Sequence, residues 1–352
     1  RKPLLIRAAL PNFAPPIDRV RLFELASNPQ AESRLINASG RRRSLQHGPF
    51  ARLPSLRLAR WTLLVQGVDL LDDAAAELLA RFRFIPDARL DDLMVSFATD
   101  GGGVGAHVDS YDVFLLQAFG QRRWKISLQR GLRASKETPL NNVAGFRASR
   151  EWVLDPGDML YLPPGVAHEG TAVGECMTFS IGFRAPSFQQ LLEPWFADYV
   201  ERVNPRGRYK DRGSSVASHP AALPRTMATR VHTQLARYRP SGSDTRRFLL
   251  RHLSEPKATT VFDAPATVSG IRLRRRASAR GLRLDRKTRL IYSGAVFGIN
   301  GDLVIAPRGA SETLHMLADR RALSALQLQR APSSTWPLLL GWYRAGWITI
   351  LD

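Results

Sequence analysis

The sequence predicts a mainly β N-terminal domain built from two antiparallel sheets, followed by helices and a small mixed α/β module. Six short β-rich segments follow one another between residues 92 and 183, separated by Gly, Pro or Asp: LMVSFA, DVFLLQ, RWKISL, WVL, MLYLP and MTFSIGF. No long helical pattern alternates with these segments, which argues against a parallel βαβ sheet. The pattern therefore favours a double-stranded β-helix of the jelly-roll or cupin type.

Further elements are predicted on either side of these strands. WTLLVQGV at 61–68 is typical of a buried strand, and residues 71–84 have apolar positions at helical spacing. Helices are also expected at 188–200, where one closes the barrel domain, and within the basic stretch 225–253. The remaining predictions are a Pro-, Gly-, Ser- and Arg-rich linker at 204–224, a hairpin turn at Asn300-Gly301 and a terminal helix at 336–345. These elements predict three domains, at 1–204, 205–255 and 256–352.

The composition is that of a globular protein, with 44% hydrophobic and 23% charged residues. Apolar runs are short, and none approaches the ~20 residues that a membrane span needs. Residues 1–10 are too short and too charged for a secretory signal. The single cysteine, Cys176, excludes an internal disulfide framework and a cysteine-based zinc site. We expect Cys176 to be a buried strand residue and the protein to be cytoplasmic.

The net charge of +20 is distributed unevenly along the chain. Residues 1–204 hold 25 Lys and Arg against 22 Asp and Glu, whereas residues 205–352 hold 26 against 9. This bias points to an anionic partner for the C-terminal part, most simply RNA or a ribonucleoprotein. A solvated basic surface without a partner is an equally good interpretation, because charge alone specifies no contact.

Three residues have the types and spacing of a metal site. His107 and Asp109 in GAHVDSYDVF point to the same face of a strand, whose side chains alternate with period two. His168 lies 59 residues after Asp109, behind the turn Pro163-Pro164-Gly165. Two imidazoles and a carboxylate occupy three sites of an octahedron and leave three open, as oxygen-activating iron requires. A zinc hydrolase uses similar ligands and stays an alternative.

Arg122 follows His107 by 15 residues, on the predicted strand RRWKI. A cation inside a barrel is costly unless it is paired. The distal carboxylate of 2-oxoglutarate would be a suitable partner, held by both arms of the guanidinium. Arg123 lies on the opposite face and is expected to meet solvent, and a surface position for Arg122 as well is the alternative.

The segments DDLMVSFATDGGGVGAHVDSYDVFLLQAFGQRRWKI and DPGDMLYLPPGVAHEG resemble the bacterial ribosomal oxygenases, a JmjC-type group of 2-oxoglutarate dioxygenases. The resemblance extends through HGPF at 47–50, WTLLVQ at 61–66 and GFRAPS at 182–187, and it is strong over about 34–204. It implies a JmjC catalytic domain, a helical segment that forms a homodimer, and a winged-helix-like C-terminal domain. It also implies Fe(II), 2-oxoglutarate and O₂ as reactants, and an arginine of a large-subunit ribosomal protein, protein sixteen, as the target.

The resemblance implies roles for individual residues. His107, Asp109 and His168 match the iron ligands, and Arg122 matches the residue that binds 2-oxoglutarate. Asp92 and Tyr111 match positions that line the pocket for the substrate arginine, and Met94 shares a strand face with Asp92. An acidic group is a natural partner for a guanidinium. One departure is the segment 272–290, whose nine Lys and Arg against one Asp are not expected of the family's C-terminal domain.

Three other functions stay open from the sequence. The same chemistry could act on a histidine of a ribosomal protein, although Asp92 favours arginine. A zinc or manganese cupin acting on small molecules would lack a use for Arg122. A binding module that holds RNA through its basic C-terminal half could coexist with catalysis.

Overall fold

The computed structural model describes residues 1–38, 43–129, 131, 132, 140, 142–210, 216, 218–266 and 268–351. Part of the predicted linker, at 211–215 and 217, lies outside the described residues. No helix in the described ranges is long and apolar enough to cross a membrane.

Ten strands of the N-terminal part form one antiparallel sheet system. They are β1 (Leu4–Ile6), β2 (Glu32–Asn37), β3 (Ser44–His47), β4 (Trp61–Gln66), β5 (Leu90–Ala98), β6 (His107–Val108), β7 (Val113–Ser127), β8 (Arg150–Leu154), β9 (Met159–Leu162) and β10 (Ala167–Phe183). The hydrogen-bonded order is β1-β9-β7-β10-β5-β4-β2-β3, with β6 added to β10 and β8 to β7. The predicted jelly-roll architecture is confirmed.

The long strands β7 and β10 are the centre of this domain. The sequence predicts two strands, DVFLLQ and RWKISL, where the structure has the continuous β7. Gly120 lies between the two halves with φ +59°, and a Cβ there would stand 2.0 Å from the carbonyl oxygen of Glu175 on β10. The register of β10 shifts between Val173 and Met177, opposite this point. Both strands therefore bend at the same point. The bent pair of strands positions side chains from both of its halves.

The helices of the N-terminal and middle parts are α1 (Arg19–Ser27), α2 (Asp73–Ala80), α3 (Phe188–Val203), α4 (Arg225–Leu235) and α5 (Gly242–Ser254). Helix α2 is shorter than predicted and begins after Asp72, whose carboxylate accepts hydrogen bonds from the first backbone amides. Helix α3 begins at the capping box of Ser187 and Gln190. The basic stretch 225–253 is helical as expected and forms two helices, which are separated by a short segment that contains Pro240 and Ser241.

The C-terminal part is a separate small domain with its own core. Its elements are α6 (Gly270–Arg280), β11 (Leu282–Leu284), β12 (Leu290–Ser293), β13 (Val296–Ile299), β14 (Asp302–Ile305), α7 (Ser311–Arg320), β15 (Ala322–Leu323), α8 (Ala325–Gln329), α9 (Trp336–Arg344) and β16 (Ile348–Ile350). Leu273, Phe297, Leu314 and Trp342 are among its buried core residues. The predicted hairpin turn is confirmed: Asn300 and Gly301 both have positive φ, and Ile299 pairs with Asp302.

Helix α5 packs on the hairpin sheet of this domain. A Cβ at Gly298 on β13 would stand 2.1 Å from the carbonyl oxygen of Leu250, so helix and strand approach more closely than any side chain would allow. Helix α3 is tied to α5 by an ion pair of 2.8 Å between Asp198 and Arg251. The three parts of the chain are thus joined in sequence by direct packing.

Candidate metal centre and active site

The pairing of β6 with β10 places two histidines side by side. His107 and His168 are opposite one another in this antiparallel pair, and their ring centroids are 4.2 Å apart. Strand β6 has only two residues, so Asp109 follows it in a short connection. The turn predicted before His168 contributes directly, because the amide of Gly165 donates to the carbonyl oxygen of Asp109 at 2.9 Å. The histidine turn and the HxD segment are therefore one hydrogen-bonded unit.

One nitrogen of each histidine and one oxygen of Asp109 converge. These three atoms lie within 4.8 Å of one another. Oδ2 of Asp109 is 3.9 Å from Nε2 of His107 and 3.6 Å from Nε2 of His168. The side chain of His168 is 2% exposed, whereas those of His107 and Asp109 are 23% and 21% exposed. The cluster is thus closed on one side and open to an incoming molecule on the other.

The backbone orients both imidazoles for metal binding. Nδ1 of His107 is 2.9 Å from the carbonyl oxygen of Gly105, and Nδ1 of His168 is 3.0 Å from that of Val166. With the proton on each Nδ1, both Nε2 atoms present a lone pair to the cluster. Gly105 has φ +86°, a conformation that favours glycine and turns its carbonyl toward the ring.

Electrostatics favour the neutral form of His168, which is the form that can bind a metal. Burial, aided by the charge of His107, lowers the pKa of His168 to about 3, so this imidazole is neutral at physiological pH. Burial raises the pKa of Asp109, although His107 and a hydrogen bond from the Tyr111 hydroxyl act in the opposite direction. A cation in the cluster would compensate this buried carboxylate.

Arg122 lies in a row of inward-facing side chains on β7 and β10. It is 5% exposed, while Arg123 on the opposite face is exposed, as predicted. Its guanidinium carbon is 5.8 Å from the centre of the Trp124 ring, and that ring is 5.9 Å from His168. The row therefore runs from Arg122 across Trp124 to the histidine cluster.

The guanidinium of Arg122 lacks an anionic partner in the described part of the chain. Its Nε donates to Sγ of Cys176 at 3.4 Å, a weak acceptor. Its buried Nη2 has no hydrogen-bond partner. An unpaired buried cation is costly, so this atom is suited to donate to an anion. Cys176 is fully buried on β10, which confirms the expected strand position.

Two of the three residues predicted to line a substrate pocket, Asp92 and Tyr111, lie close together near this cluster. Asp92 is 5% exposed, Met94 is half-buried on the same strand, and Tyr111 is 38% exposed. A Cβ on Gly182 would be 3.7 Å from Oδ1 of Asp92 and 3.9 Å from the Tyr111 ring, so the two side chains meet at this glycine. Burial and the nearby carboxylates of Asp109 and Asp92 raise the pKa of Tyr111, which keeps its hydroxyl protonated. Tyr111 thus links the metal cluster to Asp92.

The sequence gives no sign of Lys257, which completes this arrangement. Its Nζ lies 2.6 Å from Oδ2 of Asp92, and the amide of Gly67 donates to the same oxygen at 3.1 Å. Lys257 lies 165 residues further along the chain, between α5 and the C-terminal domain. One oxygen of Asp92 is therefore held by Lys257 and Gly67, and the other lies near Gly182, which the Tyr111 ring also approaches.

Comparison with known families agrees with this architecture. The family model for the JmjC domain matches residues 77–191, which contain all three cluster residues and Arg122. Residues 77–191 therefore form a JmjC domain. The model for the ROXA-like winged helix matches residues 242–349 of the chain and confirms the predicted winged-helix-like domain. A third model, the AraC-like ligand binding domain, matches the overlapping range 147–242.

Two bacterial relatives are similar in sequence. The ribosomal protein uL16 3-hydroxylase of Escherichia coli (strain K12) is 40% identical over 64% of this chain and 61% of its own length. A probable ribosomal oxygenase of Haemophilus influenzae is 36% identical over 55% of this chain and 49% of its own length. In both alignments the chain spans less than two thirds of the relative.

The structural similarity extends over the whole chain. An X-ray structure of Escherichia coli YcfD, a ribosomal oxygenase, has a TM-score of 0.87 with 29% identity, covering 99% of this chain and 94% of that chain. A complex of the same oxygenase with cobalt and 2-oxoglutarate has a TM-score of 0.85 over 100% of this chain and 95% of that one. The fold of nearly the whole chain is therefore shared with that oxygenase.

Proposed function

We propose that this protein is an Fe(II)- and 2-oxoglutarate-dependent dioxygenase that hydroxylates an arginine side chain of a large-subunit ribosomal protein, protein uL16. The observation that supports it most is the inner row of β7 and β10. At one end of this row stands a two-histidine, one-carboxylate cluster, and at the other a buried arginine with an unpaired Nη2. Metal cupins without an oxo-acid substrate have no use for the second feature.

The donor set fits Fe(II). His107, Asp109 and His168 would hold the ion through two Nε2 atoms and one carboxylate oxygen, on one face of an octahedron. When bound, iron supplies the activation of O₂, which is coupled to conversion of 2-oxoglutarate to succinate and CO₂ and to hydroxylation of the substrate. The chain's own contribution is to orient the ligands and to exclude water from the side that His168 closes.

Arg122 would bind the distal carboxylate of 2-oxoglutarate. A guanidinium can donate two parallel hydrogen bonds to a carboxylate, and the unpaired Nη2 is free to make one of them. The Trp124 ring between Arg122 and His168 would form an apolar wall along the carbon chain of the co-substrate. The two charged ends of 2-oxoglutarate would then be recognised separately, by metal and by arginine.

The target is proposed to be arginine because of how Asp92 is held. Its Oδ2 accepts from Lys257 and Gly67, which fix the carboxylate, and its Oδ1 lies near Gly182, which the Tyr111 ring also approaches. A fixed carboxylate beside an aromatic ring suits a guanidinium, which pairs with the first and stacks on the second. A neutral histidine would make weaker use of the same two groups.

We also propose that the protein is cytoplasmic.

The direct test is turnover of 2-oxoglutarate with Fe(II), with and without a peptide from an arginine-bearing loop of uL16. We expect succinate formation to be stimulated by the peptide, and mass spectrometry to place one added oxygen on an arginine. Succinate without a mass gain would retain the oxygenase and reject this substrate. Absence of turnover with iron, together with tight zinc binding, would reject the oxygenase.

Replacing Asp92 by asparagine should raise the KM for the peptide. The change removes the charge that faces the guanidinium and leaves Lys257 without its ion-pair partner. We expect an increase of about tenfold or more, the range for a lost charged hydrogen bond, with the KM for 2-oxoglutarate unchanged. Steady-state kinetics in both substrates measure the difference.

Lys257→Met is the matched comparison for Asp92→Asn. It removes the same ion pair but keeps the carboxylate, so we expect a smaller rise in the peptide KM than Asp92→Asn produces. An unchanged peptide KM in Asp92→Asn would contradict the assigned role of Asp92. Equal effects of the two substitutions would indicate that only the ion pair matters.

We also propose that the helical segment forms a homodimer. Helix α3 exposes an apolar row at intervals of one turn, with exposures of 91% for Phe188, 51% for Leu192, 48% for Phe196 and 52% for Val200. Helix α4 has no buried residue. An exposed apolar row of this length needs a partner surface that shields it from water. The same helix of a second copy of the chain offers a matching row. The boundaries at 204 and 255 are part of the same proposal.

The double substitution Leu192→Glu and Phe196→Glu should convert the dimer to a monomer. Two charges placed in the apolar row would be buried without partners on association. The molar mass measured by light scattering after size-exclusion chromatography should fall from twice the chain mass of 39.3 kDa to once that mass. Leu58→Glu, at an exposed barrel position, is the control and should stay dimeric. A monomeric unsubstituted protein would contradict the proposal.

A further inference from the structure

We infer that the outer face of the C-terminal domain is a binding surface for the phosphate backbone of RNA. This surface, the arginine face, consists of residues on α6 and at the ends of α8 and α9: Arg272, Arg274, Arg275, Arg276, Arg280, Arg330 and Arg344. It is distinct from the cluster in the barrel, and the inference goes beyond the proposed hydroxylation.

The segments that build this face contain no acidic residue. Neither 264–284 nor 320–351 has an Asp or Glu, although together they contain ten arginines. A solvated protein surface usually mixes charges of both signs. Here three neighbouring helices contribute charge of only one sign, so the local potential is strongly positive.

Helix α6 separates its apolar and basic residues clearly. Leu273 and Ala277 are buried in the core of the domain. The five arginines of α6 are exposed, and none of them makes an ion pair with a residue of the described ranges. Arg272, Arg276 and Arg280 follow one another at intervals of four residues along about 12 Å of helix. The helix thus presents exposed guanidinium groups without ion pairs in the described ranges, of which that of Arg274 also lies over the Trp336 ring at 5.5 Å.

The two neighbouring helices extend this row at both ends. The guanidinium of Arg344 on α9 lies 3.4 Å from the carbonyl oxygen of Val268, just before α6 begins. Near the other end, Gln329 donates to the carbonyl oxygen of Ser278, which places the exposed Arg330 beside the last turn of α6. Charge is therefore continuous across the surface.

The basic residues that follow α6 have a different use. Arg286 pairs with Asp73 at 2.9 Å and donates to the carbonyl oxygen of Leu70 in the barrel domain. Arg289 donates to the carbonyl oxygen of Asp91 at 2.9 Å. These residues line a cavity of about 450 Å³ between the two domains. The basic residues of 272–290 thus have two locations. Those before residue 282 belong to the arginine face, and Arg286 and Arg289 after it contact the barrel domain.

RNA fits this surface better than a membrane does. An amphipathic helix binds a bilayer by inserting apolar side chains, but the apolar side of α6 is occupied by the core of its own domain. All seven cations are arginines, whose planar fork matches phosphate oxygens. A nucleic-acid backbone supplies closely spaced phosphates along a length comparable to the arginine row.

The test measures binding of a labelled RNA duplex of about 16 base pairs to the 352-residue chain by fluorescence anisotropy, between about 50 and 200 mM salt. The variant R272Q/R275Q/R276Q/R280Q should bind on the order of a hundredfold more weakly at the lowest salt. The slope of log affinity against log salt should fall by about four, since each lost phosphate contact removes about one. R275Q/R276Q should lower the slope by about two.

The control is R52Q/R57Q/R81Q/R150Q, which removes the same charge from exposed positions of the barrel domain. It should keep the affinity and the slope of the unsubstituted protein. All variants are compared by thermal melting and by turnover of 2-oxoglutarate, neither of which the arginine face should affect. Equal weakening by both quadruple variants, no RNA binding at the lowest salt, or binding only to vesicles of phosphatidylcholine and phosphatidylserine would each overturn the inference.

Discussion

Replacement of His168 by alanine should abolish both metal binding and peptide hydroxylation. His168 is the most buried member of the cluster, and its Nε2 lies 3.6 Å from the Asp109 carboxylate. Loss of this nitrogen leaves two ligands, too few to hold the ion on one face of an octahedron. Loss of an outer partner of a metal ligand already costs about 10- to 100-fold, so we expect a larger loss here.

Two measurements separate this outcome from simple unfolding. Titration with Co(II), followed by its visible absorption, reports metal binding without turnover, and thermal melting of the metal-free protein reports the fold. His47→Ala is the control, because His47 is exposed at the end of β3. It should retain metal affinity and turnover. A His168→Ala variant that binds Co(II) as tightly as the unsubstituted protein would remove His168 from the metal site.

The cluster could be predicted from the sequence because its chemistry is local. The HxD spacing and the Pro-Pro-Gly turn each bring a ligand to the end of a strand. Both patterns consist of only a few adjacent residues. The antiparallel pairing that sets His107 opposite His168 then follows from the jelly-roll order. Burial of Arg122 and exposure of Arg123 likewise follow from strand alternation.

Contacts between distant parts of the chain were beyond sequence reasoning. Lys257 reaches Asp92 only because the C-terminal domain docks beside β5, and no local pattern around Lys257 indicates this. The continuity of β7 was missed because Gly120 is typical of a turn between strands. In the structure this glycine instead permits a close approach to β10. The division of the basic residues between domain contact and the arginine face likewise depends on how the C-terminal domain packs on the barrel, which no local pattern indicates.

Replacing Arg122 by methionine should raise the KM for 2-oxoglutarate while leaving the metal site intact. A hydrogen bond to a charged group contributes about 1.5–3 kcal/mol, which corresponds to roughly 10- to 150-fold in affinity. We expect kcat at saturating co-substrate to fall less than kcat/KM, because the iron ligands are untouched. Arg122→Lys should recover part of the affinity, since lysine supplies charge without the bidentate fork.

The stability of the metal-free protein distinguishes co-substrate binding from a structural role. Arg122 is buried with an unpaired Nη2, so its removal should leave the melting temperature unchanged or higher. The rise in melting temperature that 2-oxoglutarate and Co(II) together produce in the unsubstituted protein should be lost. Arg123→Met, on the same strand but exposed and paired with Glu151 at 3.1 Å, should keep that rise. A lower melting temperature in Arg122→Met with an unchanged co-substrate KM would mean that Arg122 supports the fold and does not bind 2-oxoglutarate.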